Sequence, residues 1–391
     1  MATVPDAPLI AVVLPPGEGF GPGRTGAVGL IVRRLCRILP ALVLGGRQTG
    51  PIFEDVAFRA VQPPLWRPGT VNTRYAAGVV RVLHGIAPAI IEVHNRIDVA
   101  LSLARCFPRT PVMLFLHNDP QGMRQAGSPD HRARLLSRLA RVVTVSGYLR
   151  GRLLEGVEPP PDRPPVVLPN PIEFTALPSA GPREKLILFA GRVVPEKGAD
   201  AFVAACAIAL PQLPGWRAQI IGADRFRADS PETRYVRAVR AAAQQAGVRM
   251  LGYRDHPDVL AALSRASIAV VPSRWAEPFG LSALEAMACG AALLCSPYGG
   301  LPEVAGEAAV FVDPEDPARV AAAIVALAND PARLAAVAAA GRAQARKFGL
   351  QAAALRLAAL RREVLAAAPT AGGSAPAASL YTASQNRMER R

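Results

Sequence analysis

Short apolar runs alternate with helical patterns twice over along this 391-residue chain, and that alternation leaves few folds open. The first series places apolar runs at residues 9–14, 41–44, 89–93, 112–116, 142–145 and 166–168. The second places them at 186–190, 218–221, 268–271, 291–295 and 310–312. Runs of this length between amphipathic segments read as βα units stacked into parallel sheets. Two such series mean two α/β domains, as suits a chain long for a single core. Nine prolines fall within residues 159–182, around Asn170-Pro171, and mark the boundary. The domains are therefore expected at 1–172 and 173–348.

The segments between the runs have helical periodicity. Val28, Ile31, Val32, Leu35, Ile38 and Leu39 line one face, and Arg33, Arg34 and Arg37 lie off it. Asp316-Pro317 and Asp330-Pro331 each place a capping acid before a proline at the first helical position. Residues 366–391 are rich in Ala, Ser and Gly, and disorder is expected there.

Composition narrows the classes. Only Lys185, Lys197 and Lys347 are lysines, so 42 of the 45 basic residues are arginine and Lys197 stands out against that bias. The net charge of +15 is spread almost evenly over the two halves. Even spreading argues against a dedicated nucleic-acid domain and favours anionic substrates or an anionic membrane surface. No apolar run approaches the ~18 residues of a spanning helix, and no signal-peptide pattern opens the sequence. Five scattered cysteines without a CxxC suggest a reduced compartment and no zinc site.

Two runs carry the chemistry. In Glu277-Pro278-Phe279-Gly280-Leu281-Ser282-Ala283-Leu284-Glu285, two acids flank an expected helix start, with Pro278 in the first turn and Gly290 past the end. The amides of Phe279, Gly280 and Leu281 would be among its orphan donors and form an anion site. Glu285 lies two turns on, so the acids would grip different parts of one extended ligand. In the second run, Gly191-Arg192 ends a strand and Glu196-Lys197-Gly198 opens the next helix. Arg192 can fork onto two phosphate oxygens, and Lys197 adds a point charge. Separately, these runs also fit a capped helix with a solvated acid and an ordinary surface turn.

In this order, Gly-Arg, Lys-Gly and the paired acids around Pro-Phe-Gly-Leu resemble the retaining nucleotide-sugar glycosyltransferases of family 4. The resemblance is strongest from residue 185 to 327. Val166-Val167-Leu168-Pro169-Asn170-Pro171-Ile172-Glu173 is similar to that family's interdomain segment, with Pro171 replacing the commoner glycine. The resemblance implies a GT-B fold: two Rossmann-like domains whose parallel sheets face each other across a cleft. It also implies that a helix at 349–365 crosses back to the first domain. Arg192 and Lys197 would hold the donor diphosphate, Glu285 the ribose hydroxyls, and Glu277 the transferred sugar. Phe279, Gly280 and Leu281 would present amides. His117, at the end of the run 112–116, would face the donor sugar, and Gly26 would belong to a loop over the donor phosphates. His117, Glu277, Arg192 and Lys197 are thus the expected catalytic set. The donor would be a UDP-, GDP- or ADP-sugar, with no metal or other cofactor required. The acceptor would be lipid-linked or an oligosaccharide, in bacterial lipopolysaccharide, exopolysaccharide or glycolipid assembly. The expected place is the cytoplasm, with peripheral attachment to the plasma membrane.

Other readings stay open on the residues. Gly21-Pro22-Gly23-Arg24-Thr25-Gly26 spells GxGxxG, but six residues separate it from the strand at 9–14 and no acid ends the second strand, as a dinucleotide site would require. His94-Asn95 ends a strand as His117 does and suggests the acceptor side. Arg132, Arg134, Arg138, Arg141, Arg150 and Arg152 form a basic cluster, with Arg134, Arg138 and Arg141 on one expected helix face that could meet anionic lipid headgroups. The alternatives are a non-catalytic nucleotide-sugar-binding protein, an NAD(P)-dependent oxidoreductase, and a charge-driven membrane or nucleic-acid adaptor.

Overall fold

The computed structural model describes residues 9–64, 68–179, 181–225 and 229–368. Among the described residues, thirteen strands form two sheets. The first contains β1 (Ile10–Val13), β2 (Leu42–Gly45), β3 (Phe58–Ala60), β4 (Ile90–His94), β5 (Val112–Leu116), β6 (Arg141–Thr144) and β7 (Val166–Val167). Its order is β3-β2-β1-β4-β5-β6-β7. The second contains β8 (Glu184–Ala190), β9 (Arg217–Ile221), β10 (Val248–Met250), β11 (Ala266–Val271), β12 (Ala292–Cys295) and β13 (Ala309–Phe311), in the order β10-β9-β8-β11-β12-β13. Every pairing is parallel. Strand order reverses between β1 and β4 and again between β8 and β11, and ligands of open α/β sheets collect at such switch points.

The apolar runs became strands because both faces of each sheet are covered by helices, so continuous Val, Ile and Leu can be buried. β3 and β10 did not stand out in the sequence: each is a three-residue edge strand containing an arginine. The tail expected to be disordered lies mostly outside the described residues. Among the described residues, no single helix is long and apolar enough to cross a membrane.

The chain passes between the two sheets twice, and the passages lie side by side. The Ile172 amide donates to the Phe348 carbonyl at 2.9 Å, and the Leu350 amide donates to the Ile172 carbonyl at 3.0 Å. The helix Leu350–Ala366 then packs on the first sheet. Leu350, Ala353, Ala354, Leu357, Leu360 and Val364 join Ile10, Val12, Ile31, Leu35, Ile90 and Met113 in one core. That i, i+3, i+4, i+7 stripe is an amphipathic face, and each of its larger side chains contributes about 1.5–3 kcal/mol on burial. Arg361 adds a directional lock: its Nε and Nη2 each donate at 2.8 Å to the two oxygens of Glu92, in the centre of β4.

Arg34 lies off the apolar stripe of the helix Ala27–Ile38, as its spacing indicates, and is nonetheless only 8% exposed. One expectation needs correction. The basic cluster is not one surface. The helix carrying Arg134 and Arg138 ends at Arg138, and Arg141 begins β6 and pairs with Glu363. Arg132 is buried and donates to the carbonyls of Leu153, Ala126 and Gly127. Arg152 is held by Asp119 and Glu155. Internal carbonyls take up Arg132, and acids pair with Arg141 and Arg152, whereas Arg134, Arg138 and Arg150 remain exposed.

Glu92 is 2% exposed, so its partner is essential to it. Arg361→Ala is expected to cost about 3–5 kcal/mol by stranding that carboxylate. The double variant Glu92→Gln/Arg361→Met should recover most of the loss, as read from denaturant unfolding of the two proteins beside wild type.

Candidate active site

A cleft of about 770 Å³ opens between the sheets at their C-terminal edges. Its second-domain wall includes Arg192, Lys197, Glu277, Phe279, Gly280, Leu281 and Glu285, and its first-domain wall includes Asn95, Arg96, His117 and Asn118. The volume is within the range of ordinary small-molecule sites. Gly26 is not among the lining residues, although Thr25, Ala27 and Val28 are.

The cation loop and the acid run meet directly. Lys197 Nζ lies 2.5 Å from Glu277 Oε1, and Ser273 Oγ donates to that same oxygen at 2.8 Å. Glu277 is 6% exposed. Its backbone forms a parallel bridge with Gly299, and its carbonyl accepts from the Gly300 amide at 2.6 Å. This bridging keeps the segment extended past Pro278, so the helix begins at Leu281 and not at the proline, and it ends at Cys289 before Gly290. Gly280, at φ +101°, caps it in a conformation that glycine alone adopts readily, with no room for a Cβ beside Leu301. Gly198 is similarly constrained: φ is +70° and a Cβ would sit 2.0 Å from the Pro272 carbonyl oxygen. The Phe279 ring belongs to the core, edge-on to Phe348 at 5.7 Å, so only its main chain is suited to a ligand.

Glu285 lies on the helix Leu281–Cys289, and its Oε1 is 2.7 Å from His256 Nε2. Burial pushes this carboxyl up, but His256 and then Arg34 outweigh it and hold it below the ordinary glutamate value. It is therefore an anion in the working pH range. His256 was missed in the sequence because Asp255-His256-Pro257 reads as a helix start, and it is one: the helix runs His256–Arg265.

Across the cleft, His117 follows β5, and its Nε2 lies 3.0 Å from His94 Nδ1. The His117 amide donates to Asn95 Oδ1 at 3.2 Å, and Asn95 has φ +56°, a left-handed position at a strand end. His117 Nδ1 is buried without a hydrogen-bond partner among the described residues. Burial lowers His117 to about 4, and burial together with His117 and Arg361 lowers His94 as well. Both rings are neutral near pH 7, so one is a donor and the other an acceptor in the pair.

The glycine-rich loop is arranged differently from a dinucleotide turn. Gly26 caps the helix Ala27–Ile38, and Glu18 Oε1 accepts from the Gly29 amide at 3.0 Å. Burial raises the Glu18 carboxyl against the pull of the Gly29 and Gly26 amides and Arg96. The chain's own carboxylate therefore occupies the helix N-terminus where a pyrophosphate would bind. Gly23 instead presents its carbonyl to Tyr253 Oη, 2.9 Å away on the other domain. Among the described residues, no three His, Cys, Asp or Glu side chains cluster to hold a metal.

Two parallel α/β domains with their site between facing C-terminal edges define the GT-B fold. Residues 178–344, less than half of the chain, match the family described as Glycosyl transferases group 1. Glycogen synthase of Mycobacterium tuberculosis is 40% identical over 155 residues, 38% of this chain and 34% of that protein. The match thus spans about a third of that relative's length. Sucrose-phosphate synthase of Thermosynechococcus elongatus superimposes with a TM-score of 0.75 at 21% identity, over 92% of this chain and 100% of that one. The Anabaena protein HepE, solved with UDP-glucose, gives 0.71 at 17% identity over 91% and 100%. These structures share the fold.

A pH prediction follows for the paired imidazoles. With its pKa depressed in the fold, His117 contributes stability that is complete above the ordinary imidazole value of 6.5 and is lost as pH falls toward about 4. The His117 ring resonances are expected to stay unshifted from pH 8 to 6 by proton NMR; a midpoint near 6.5 would refute the buried neutral pair.

Proposed function

We propose that this protein is a retaining glycosyltransferase that moves a sugar from a nucleoside diphosphate-sugar to an acceptor hydroxyl. The observation that carries the reading is the convergence of Arg192, Lys197, Glu277 and Glu285 on one wall of the cleft, opposite His117. Such a wall suits a ligand with a charged centre and hydroxyl-bearing ends. The GT-B neighbour solved with UDP-glucose supports a nucleotide-sugar donor.

Roles follow from the chemistry of each group. Departure of a nucleoside diphosphate builds negative charge, and Arg192 and Lys197 stabilise it as it develops. The Glu277 carboxylate holds Lys197 in place and presents its second oxygen to hydroxyls of the transferred sugar. The Glu285 carboxylate, kept ionised, accepts hydrogen bonds from the ribose hydroxyls. Main-chain amides at Gly280 and Leu281 sit at the positive end of a helix and favour the diphosphate. Neutral His117 contacts the donor sugar from the opposite wall without adding charge. Retention would arise when the leaving phosphate takes the acceptor proton on the same face, so no paired-carboxylate hydrolase geometry is required. The acceptor we assign is a hydroxyl of a lipid-linked or oligosaccharide chain, in polysaccharide or glycolipid assembly on the side of the membrane where nucleotide-sugars are made.

The test is turnover, read as nucleoside diphosphate release with UDP-, GDP- and ADP-glucose. Lys197→Ala and Arg192→Ala should each lower kcat about a hundredfold or more, compared at equal concentrations of folded protein, with Lys197→Ala also lowering the unfolding midpoint because it leaves the buried Glu277 without its ammonium partner. Wild-type turnover in both variants would remove the assignment.

A further inference from the structure

Arg34 belongs to the first domain, yet its guanidinium reaches the second. Its Nη1 donates to the Pro171 carbonyl at 3.1 Å, on the segment where the chain first crosses between domains. Its Nη2 lies 3.6 Å from Glu285 Oε1, the oxygen that also meets His256 Nε2 at 2.7 Å. Arg34 is 8% exposed and Glu285 6%, so the pair is shielded from solvent screening. One oxygen of Glu285 is thus met by two groups, one from each domain, and both Glu285 and His256 line the cleft.

We infer that Arg34 is a positioning residue that makes donor binding depend on the relative placement of the two domains. This role rests on the reading that Glu285 receives the ribose. An imidazole at 2.7 Å and a guanidinium at 3.6 Å from the same oxygen restrict how this buried carboxylate can turn. Swinging the first domain away removes the guanidinium, which leaves the carboxylate with His256 alone and freer to rotate. The ribose subsite is then complete only while the helix Ala27–Ile38 sits against the second domain, and a bound nucleotide favours that arrangement in return.

A purely structural role, tying down the crossing segment through Pro171, has a built-in comparison. Arg37 lies one turn along the same helix, and its Nη1 donates to Glu173 Oε1 at 3.0 Å on the same segment. It is not a partner of Glu285, so it reports on fastening alone.

The experiment is a double-variant cycle, using calorimetric binding of whichever of UDP, GDP and ADP binds wild type most tightly. Arg34→Ala is expected to weaken binding about tenfold in the wild-type background and less than twofold in the Glu285→Gln background. Arg37→Ala is expected to stay within twofold of wild type. Equal losses from Arg34→Ala in both backgrounds, or an equal loss from Arg37→Ala, would overturn the inference while leaving the donor site intact. Wild-type binding by Glu285→Gln, or no binding of any of the three nucleotides to wild type, would instead sink the ribose reading itself and this inference with it. Should Arg34→Ala fail to fold, Arg34→Lys carries the same cycle, with a smaller loss that again disappears beside Glu285→Gln.

Discussion

The cleft exists because two parallel sheets are fixed with their C-terminal edges facing each other, and that fixation depends on where the chain crosses. The crossing at Ile172 and the return at Gly349 are hydrogen-bonded side by side, so both passages share one narrow seam. The helix Leu350–Ala366 then commits the end of the chain to the first sheet through an apolar stripe and the Arg361–Glu92 pair. A parallel sheet collects loops and helix N-termini at one edge. A single sheet would offer half a site, either cations and acids or the paired imidazoles. The seam sets the two halves across one cleft.

Charge within this strongly basic chain is managed locally. Lys197 is matched by Glu277, and Glu285 by His256 and Arg34. Pairing of this kind orients each group before a ligand arrives, which is how preorganised sites gain electrostatic strength. It also explains why the net charge of +15 was a poor guide to surfaces: many arginines are spent on carbonyls and acids inside the fold, as Arg132 is. Interdomain hydrogen bonds add to the same end. Ser146 Oγ donates to the Pro278 carbonyl at 2.5 Å, and Glu303 accepts from the Gly147 amide at 2.7 Å. The loop that begins the acid run is therefore braced from the opposite domain.

Much of this was legible because buried parallel strands leave continuous apolar runs, and because Gly191-Arg192 follows a strand directly while Lys197-Gly198 and the paired acids flank the starts of the helices that come next, where local spacing is informative. What escaped was set by distant partners. Pro278 suggested a helix start, but the bridge from Glu277 to Gly299 holds that stretch extended and delays the helix to Leu281. The burial of Arg34 was not legible because periodicity is read against its own helix, whereas its partners Pro171 and Glu285 lie far away in sequence. His256 was hidden inside a helix-start pattern. Gly26 matched a glycine loop in spelling, yet Glu18 from the preceding turn fills the anion position that the glycines would offer. The edge strands β3 and β10 are too short and too polar to register as runs.

The measurement that tests the central claim most directly is a crystal structure of the protein soaked with a nucleoside diphosphate. The account predicts the diphosphate between Arg192 and Lys197, the ribose against Glu285, and the terminal phosphate directed into the cleft toward His117. Nucleotide bound at the Gly21-to-Gly26 loop, or anywhere outside the cleft with Arg192 and Lys197 untouched, would contradict it.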